Sequence, residues 1–174
     1  MRGFFIAALL ALLLQPLGAL AQTIEVAGVK YEPSADVGGA KLQLNGAGIR
    51  YKAVFKVYTA GLYLSTKANT PDAVMAAPGP KRLHVQMLRE IDGNELGKLF
   101  TKGMEQNASR DEFMKSINGV IRMGEVFSSR KSLASGENFW VDYIPGTGST
   151  VWLNGKQMGE PIKEPEFFSA LLRI

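Results

Sequence analysis

Residues 82–88 alternate strictly: Leu83, Val85 and Met87 fall on one face, and Arg82, His84 and Gln86 on the other. This is the period-two pattern of a half-buried strand, with the second face read as solvated. Two stretches change rhythm to three- and four-residue spacing. Leu96, Leu99, Phe100 and Met104 mark a helix from a cap at Asp92 to about residue 106, and Phe113, Ile117, Val120 and Ile121 mark a second over residues 111–123. A short helix is predicted from Thr70-Pro71-Asp72, an N-cap threonine followed by proline at the first helical position, and Pro78-Gly79-Pro80 stops it. A closing helix over residues 164–172 turns Phe167, Phe168, Leu171 and Leu172 inward.

The remaining segments read as β-structure. Residues 23–26 and 29–31 are short strands around Gly28, residues 33–39 a loop, and residues 41–44 alternate. Residues 45–48 form a glycine-rich turn, and residues 49–64, rich in β-branched and aromatic side chains, the longest strand-like segment. Near the end, residues 138–144 and 150–153 flank a turn at 145–148, and Asn154-Gly155 signals a tight hairpin into residues 156–158. The fold class is therefore α+β: an antiparallel sheet with helices gathered on one face.

The first residues change the picture of where the chain works. Arg2, an apolar run over 4–14, and Ala19-Leu20-Ala21 have the layout of a secretory signal with cleavage after Ala21. The run is too short for a membrane span of roughly 20 residues. The expectation is a leader over 1–21, a single domain over 22–174, a periplasmic or secreted location, and no stable membrane anchor after cleavage.

Composition narrows the chemistry. The chain has no cysteine and one histidine, His84, which excludes thiolate chemistry and cysteine ligands and leaves no metal site in prospect. Twenty Lys and Arg against 16 Asp and Glu give +4, spread along the chain without a basic stripe, so nucleic acid is not an expected partner. There is no GxSxG elbow, P-loop or HExxH, and no dinucleotide fingerprint follows a strand, so no cofactor is expected. Gly46-Ala47-Gly48 precedes a strand and not a helix, so it aims no helix N-terminus at a phosphate.

The most informative stretch is residues 44–64, LNGAGIRYKAVFKVYTAGLYL. Its glycine-rich Gly46-Ala47-Gly48, Arg50, Lys56 and Gly61-Leu62-Tyr63-Leu64 resemble the signature of the chalcone isomerase superfamily. Residues 142–155, DYIPGTGSTVWLNG, resemble the closing hairpin of its bacterial, exported branch. The resemblance implies a chalcone isomerase-like open-faced β-sandwich with a curved sheet and a pocket between sheet and helices. It also implies a choice of function. In the isomerases an arginine polarises the reacting oxygen, aided by a strand threonine and by a tyrosine and an asparagine from the helical layer. Arg50 matches the arginine; Tyr58 stands at the threonine position, and residues 104–121 contain no tyrosine, although Asn107 and Asn118 are present.

These departures favour the non-enzymatic, fatty-acid-binding branch, in which an arginine and a tyrosine hold a carboxylate head; Arg50 and Tyr58 match that pair. A guanidinium offers a planar fork to a carboxylate and a phenol adds one donor. In one straight strand the two residues would lie ~26 Å apart, so they meet one ligand only if the chain turns around Lys52 and Ala53. The expected partner is a small apolar carboxylate. The competing readings are a chalcone isomerase-type cyclisation, in which Arg50 alone has a catalytic counterpart, and a structural or partner-binding module whose pocket its own side chains fill.

Overall fold

The computed structural model describes residues 23–174. The proposed leader lies outside them. The strands are β1 (Ile24–Val26), β2 (Val29–Tyr31), β3 (Ser34–Val37), β4 (Ala40–Lys52), β5 (Phe55–Leu64), β6 (Lys81–Met87), β7 (Ile91–Asp92), β8 (Ser132–Leu133), β9 (Asn138–Ile144), β10 (Gly148–Leu153) and β11 (Lys156–Gln157). The helices are α1 (Pro71–Ala76), α2 (Gly93–Asn107), α3 (Arg110–Ser128) and α4 (Pro165–Leu172). Seven strands make one antiparallel sheet in the order β11-β10-β9-β6-β5-β4-β3, and β1-β2 and β7-β8 form two small ribbons. The α+β reading with helices on one face holds.

Local chemistry accounts for the element ends. Thr70, Asp92 and Ser109 each accept a backbone N–H of the first turn of α1, α2 and α3, which satisfies donors a helix start leaves orphaned. Asn154 and Gly155 both take positive φ, 48° and 82°, as a two-residue hairpin of this kind requires. On the helix-covered face, Val85, Met87, Phe139, Val141, Val151 and Leu153 of the sheet meet Leu96, Phe100, Met104, Val120, Met123, Phe127 and the phenylalanines of α4. Phe127 reaches Phe100 and Phe139 in one aromatic cluster, with centroids 5.5 and 5.0 Å away.

The structure corrects four readings. Residues 45–48 do not turn; β4 runs straight through them, and the register shifts between Leu44 and Gly46. This bulge at Asn45 puts Leu44 on one face and Gly46 on the other. Residues 49–64 are not one strand but the two arms of a hairpin that turns at Ala53-Val54, with Lys52 opposite Phe55. Within 33–39, Ser34–Val37 pairs as the edge strand β3. Finally, α3 runs to Ser128 and buries Ser116, Gly119, Val120, Met123 and Phe127, which leaves Ile121 54% exposed on its outer flank.

The other face of the sheet is also not solvated as the alternation suggested. The sheet curls until Gly38, in the turn after β3, lies against Ile144 of β9, and the β1-β2 ribbon fills the concave side. Tyr31 packs over Gly61, where a Cβ would come within 2.5 Å of its ring. His84 is wedged edge-on between Tyr31 and Trp140, with centroids 5.7 and 5.8 Å away. Curvature and the ribbon convert a polar strand face into a second small core.

Candidate functional site

The hairpin at Ala53-Val54 sets the site. It folds β4 back against β5 so that Arg50 and Tyr58 are directly opposite cross-strand partners, with Cβ atoms about 5 Å apart. The turn needed to bring them together is present where it was required, around Lys52 and Ala53. Both side chains border a cleft of about 460 Å³ between the sheet and the helices, within the usual range for small-ligand sites.

The floor of this cleft is made of small and aliphatic residues. Gly46 and Gly48 of β4 lie opposite Leu62 and Ala60 of β5, and Leu83 and Val85 of β6 continue the surface. A Cβ added at Gly46 or Gly48 would meet nothing within 4 Å, and neither residue has positive φ. Neither turn geometry nor close packing thus requires glycine there; what these two glycines leave is room in the cleft. The opposite wall comes from Phe100 of α2, Leu171 and Leu172 of α4, and Ile174. A smaller cavity of about 110 Å³, lined by Val57, Leu96 and Leu99, adjoins the same Arg50, Tyr58, Phe100 and Ile174.

The two polar groups are poorly engaged by the protein. Arg50 is exposed at the mouth, and its guanidinium makes one long contact, 3.4 Å to the backbone oxygen of Ile174. Among the described residues no carboxylate side chain pairs with it. Tyr58 stacks on Phe100, with centroids 6.1 Å apart and the rings 11° from parallel, and its hydroxyl bonds to no described group. Burial raises the pKa of Tyr58, partly offset by the positive charge of Arg50, so at neutral pH the phenol keeps its proton and can donate it. A planar cationic fork and a neutral donor at the mouth of an apolar cleft are suited to a carboxylate with an aliphatic or aromatic tail. Arg50 and Tyr58 are the titratable residues lining the larger cleft.

Over residues 22–174 the sequence matches the chalcone isomerase-like family. The chain belongs to that family. No curated protein matches it. Among solved structures, this chalcone isomerase-like protein is similar to a fatty-acid-binding protein of Arabidopsis thaliana, at 14% identity, a TM-score of 0.71 and 87% of each chain covered. At that identity the likeness is one of fold.

Other residues weighed from the sequence lie elsewhere. Asn107 donates to the Gly103 carbonyl one turn back, and Asn118 to Glu164, so neither borders the cleft. His84 sits on the concave face, on the opposite side of the sheet from its neighbours Leu83 and Val85 of the cleft floor. Its pKa is lowered, first by burial and then by Arg82, and its buried Nε2 has no partner among the described residues. The sequence did not point to Phe100 or Ile174 as site residues, because an apolar wall side chain reads like any other core position. Gly46 and Gly48 were visible, but as a turn.

Proposed function

We propose that this chalcone isomerase-like protein is exported and binds a small apolar carboxylate, such as a fatty acid, without transforming it. The observation that carries this reading is the pairing of Arg50 with Tyr58 at the mouth of an open apolar cleft, both with unspent hydrogen-bonding capacity. Held there, a carboxylate would accept from the guanidinium fork and the phenol, while its tail lies over Gly48, Ala60 and Leu62 against Leu171 and Leu172. Each buried methylene would contribute about 0.8 kcal/mol, so affinity should climb with tail length until the cleft is full.

Three considerations favour binding over catalysis or a filled module. The helical wall brings only apolar side chains to the cleft, and the third polar residue of its lining, Asn45, is an amide whose oxygen accepts from the Ala68 backbone N–H. The cleft is open and not packed by its own side chains. A protein of the same fold is named for binding fatty acids. The test is native mass spectrometry of protein recovered from the periplasm or medium, with its N-terminus sequenced. The reading expects a co-purifying acyl carboxylate on a chain that begins at Gln22. A chain that retains Met1 would contradict export, and chalcone cyclisation in the usual enzymatic range, roughly 1–10³ per second, would contradict a purely binding role.

A further inference from the structure

The tip of the β4–β5 hairpin carries an unusual surface. Tyr51, Val54 and Phe55 are 50%, 82% and 57% exposed and cluster within five residues. Large apolar side chains scattered singly on a surface need no explanation, but such a cluster on a protruding turn does. It is ringed by cations. Lys56 lies directly opposite Tyr51, and the Arg89 guanidinium sits 4.9 Å from the centre of the Phe55 ring. Among the described residues neither Lys56 nor Arg89 pairs with a carboxylate, whereas Lys52 does, with Glu95 at 3.0 Å.

Three exposed carboxylates also lie near the tip, each with a hydrogen-bonding partner. Glu90 accepts from Ser132, Asp92 caps α2, and Glu95 holds Lys52. The face therefore shows apolar groups at its apex and, beside them, two cations, Lys56 and Arg89, that no carboxylate of the described residues pairs with. Moreover, Tyr51 and Lys52 line the smaller cavity beside Arg50, so this tip borders the entrance to the cleft.

We infer that the hairpin tip docks reversibly on an anionic lipid bilayer, with Val54 and Phe55 entering the acyl boundary and Lys56 and Arg89 meeting lipid phosphates. Aromatic and aliphatic groups flanked by cations suit that interface, where buried apolar area and attraction to anionic lipid act together. Three clustered side chains at the tip of one hairpin offer far less than the roughly 800 Å² per partner of a stable protein interface. That disfavours a second copy as the occupant. The choice of a bilayer also rests on the reading of the cleft as a site for apolar carboxylates, which partition into membranes and would enter beside the docked tip.

The experiment is co-sedimentation of the full chain with vesicles of phosphatidylcholine alone or mixed with phosphatidylglycerol, without fatty acid. Wild type should sediment with the anionic vesicles, more weakly as salt rises, and weakly with phosphatidylcholine. Val54→Asp should lower the partition coefficient by roughly ten-fold or more, and Lys56→Glu with Arg89→Glu by a comparable factor. All three substitutions are at exposed positions. Wild type that stays in solution with anionic vesicles, or Val54→Asp that sediments like wild type, overturns the inference. So does a wild-type dimer that Val54→Asp makes monomeric without any vesicle binding. Dissolved fatty acid, titrated separately, should bind Val54→Asp as it binds wild type. Docking without fatty-acid binding by either protein would leave the tip assignment standing and contradict the cleft reading alone.

Discussion

The two faces of the central sheet each present an arginine opposite a tyrosine on neighbouring strands, yet the two pairs live in different environments. On the concave face Arg82 is the cross-strand partner of Tyr63. It forks onto Asp142 through two contacts of 2.6 and 2.7 Å, and the Tyr63 hydroxyl donates to the Glu32 carbonyl. On the helix side Arg50 is the partner of Tyr58, with no carboxylate side chain on the guanidinium and no acceptor for the hydroxyl among the described residues. The same residue types are thus spent on structure in one place and left available in the other. What marks the proposed binding site is unspent polar capacity beside empty apolar volume, not the presence of the pair.

The sharpest way to break this contrast is to remove each arginine and watch stability. Arg82→Ala leaves Asp142, whose side chain is 8% exposed, as an unpaired buried carboxylate. That should cost about 3 kcal/mol, a fall in Tm of roughly 6–12 °C for a domain of this size. Arg50→Ala, at an exposed position, should change stability by about 0.5 kcal/mol or less. Calorimetry on the two variants checks this, and equal losses would erase the distinction between the faces.

Next in size is the effect of filling the cleft. Gly48→Val would place its methyl groups in open space where about two or three methylenes of a long tail would otherwise lie. Affinity for a long-chain acid should fall by about 2 kcal/mol, roughly 30-fold, with short-chain acids less affected and no loss of stability. Isothermal titration across a series of chain lengths reads this directly. Uniform affinity across the series in Gly48→Val would place the tail elsewhere.

The smallest effect sharpens the account of the concave face. His84 is held neutral because burial lowers its pKa below the ordinary histidine value of about 6.5. Below pH 6.5 the unfolded chain therefore binds a proton that the native protein resists. The His84 contribution is level above that pH, turns against folding as pH drops through the window below it, and levels off beneath the folded-state pKa. Melting curves between pH 7.5 and 5 should show a steeper acid loss for wild type than for His84→Gln. Identical slopes would show that His84 protonates freely in the fold.

Much of this architecture was legible in the residues. The strict alternation around Val85, the caps at Thr70 and Asp92, and the Asn154-Gly155 turn each specify an element through local chemistry. The hairpin that builds the site was not legible, because Ala53-Val54 carries no glycine, asparagine or proline. Ala53 nonetheless adopts φ of 52°, a conformation in which an alanine is strained. It is imposed by the pairing of the flanking strands and not signalled by the turn itself. The bulge at Asn45 was hidden for a related reason: glycines that usually mark turns here serve as a cleft floor. Burial of His84 depended on the curl of the sheet and on Tyr31 from a distant ribbon, which no local pattern reports.

The central claim is that Arg50 clamps a carboxylate at the cleft mouth, and titration of medium- and long-chain fatty acids into wild type, Arg50→Ala and Arg50→Lys tests it most directly. Loss of a charge-assisted contact of roughly 1.5–3 kcal/mol predicts about a 10- to 150-fold weaker affinity for Arg50→Ala. Arg50→Lys should recover only part of that, since an ammonium lacks the paired donors. Equal affinity in all three proteins would contradict the clamp.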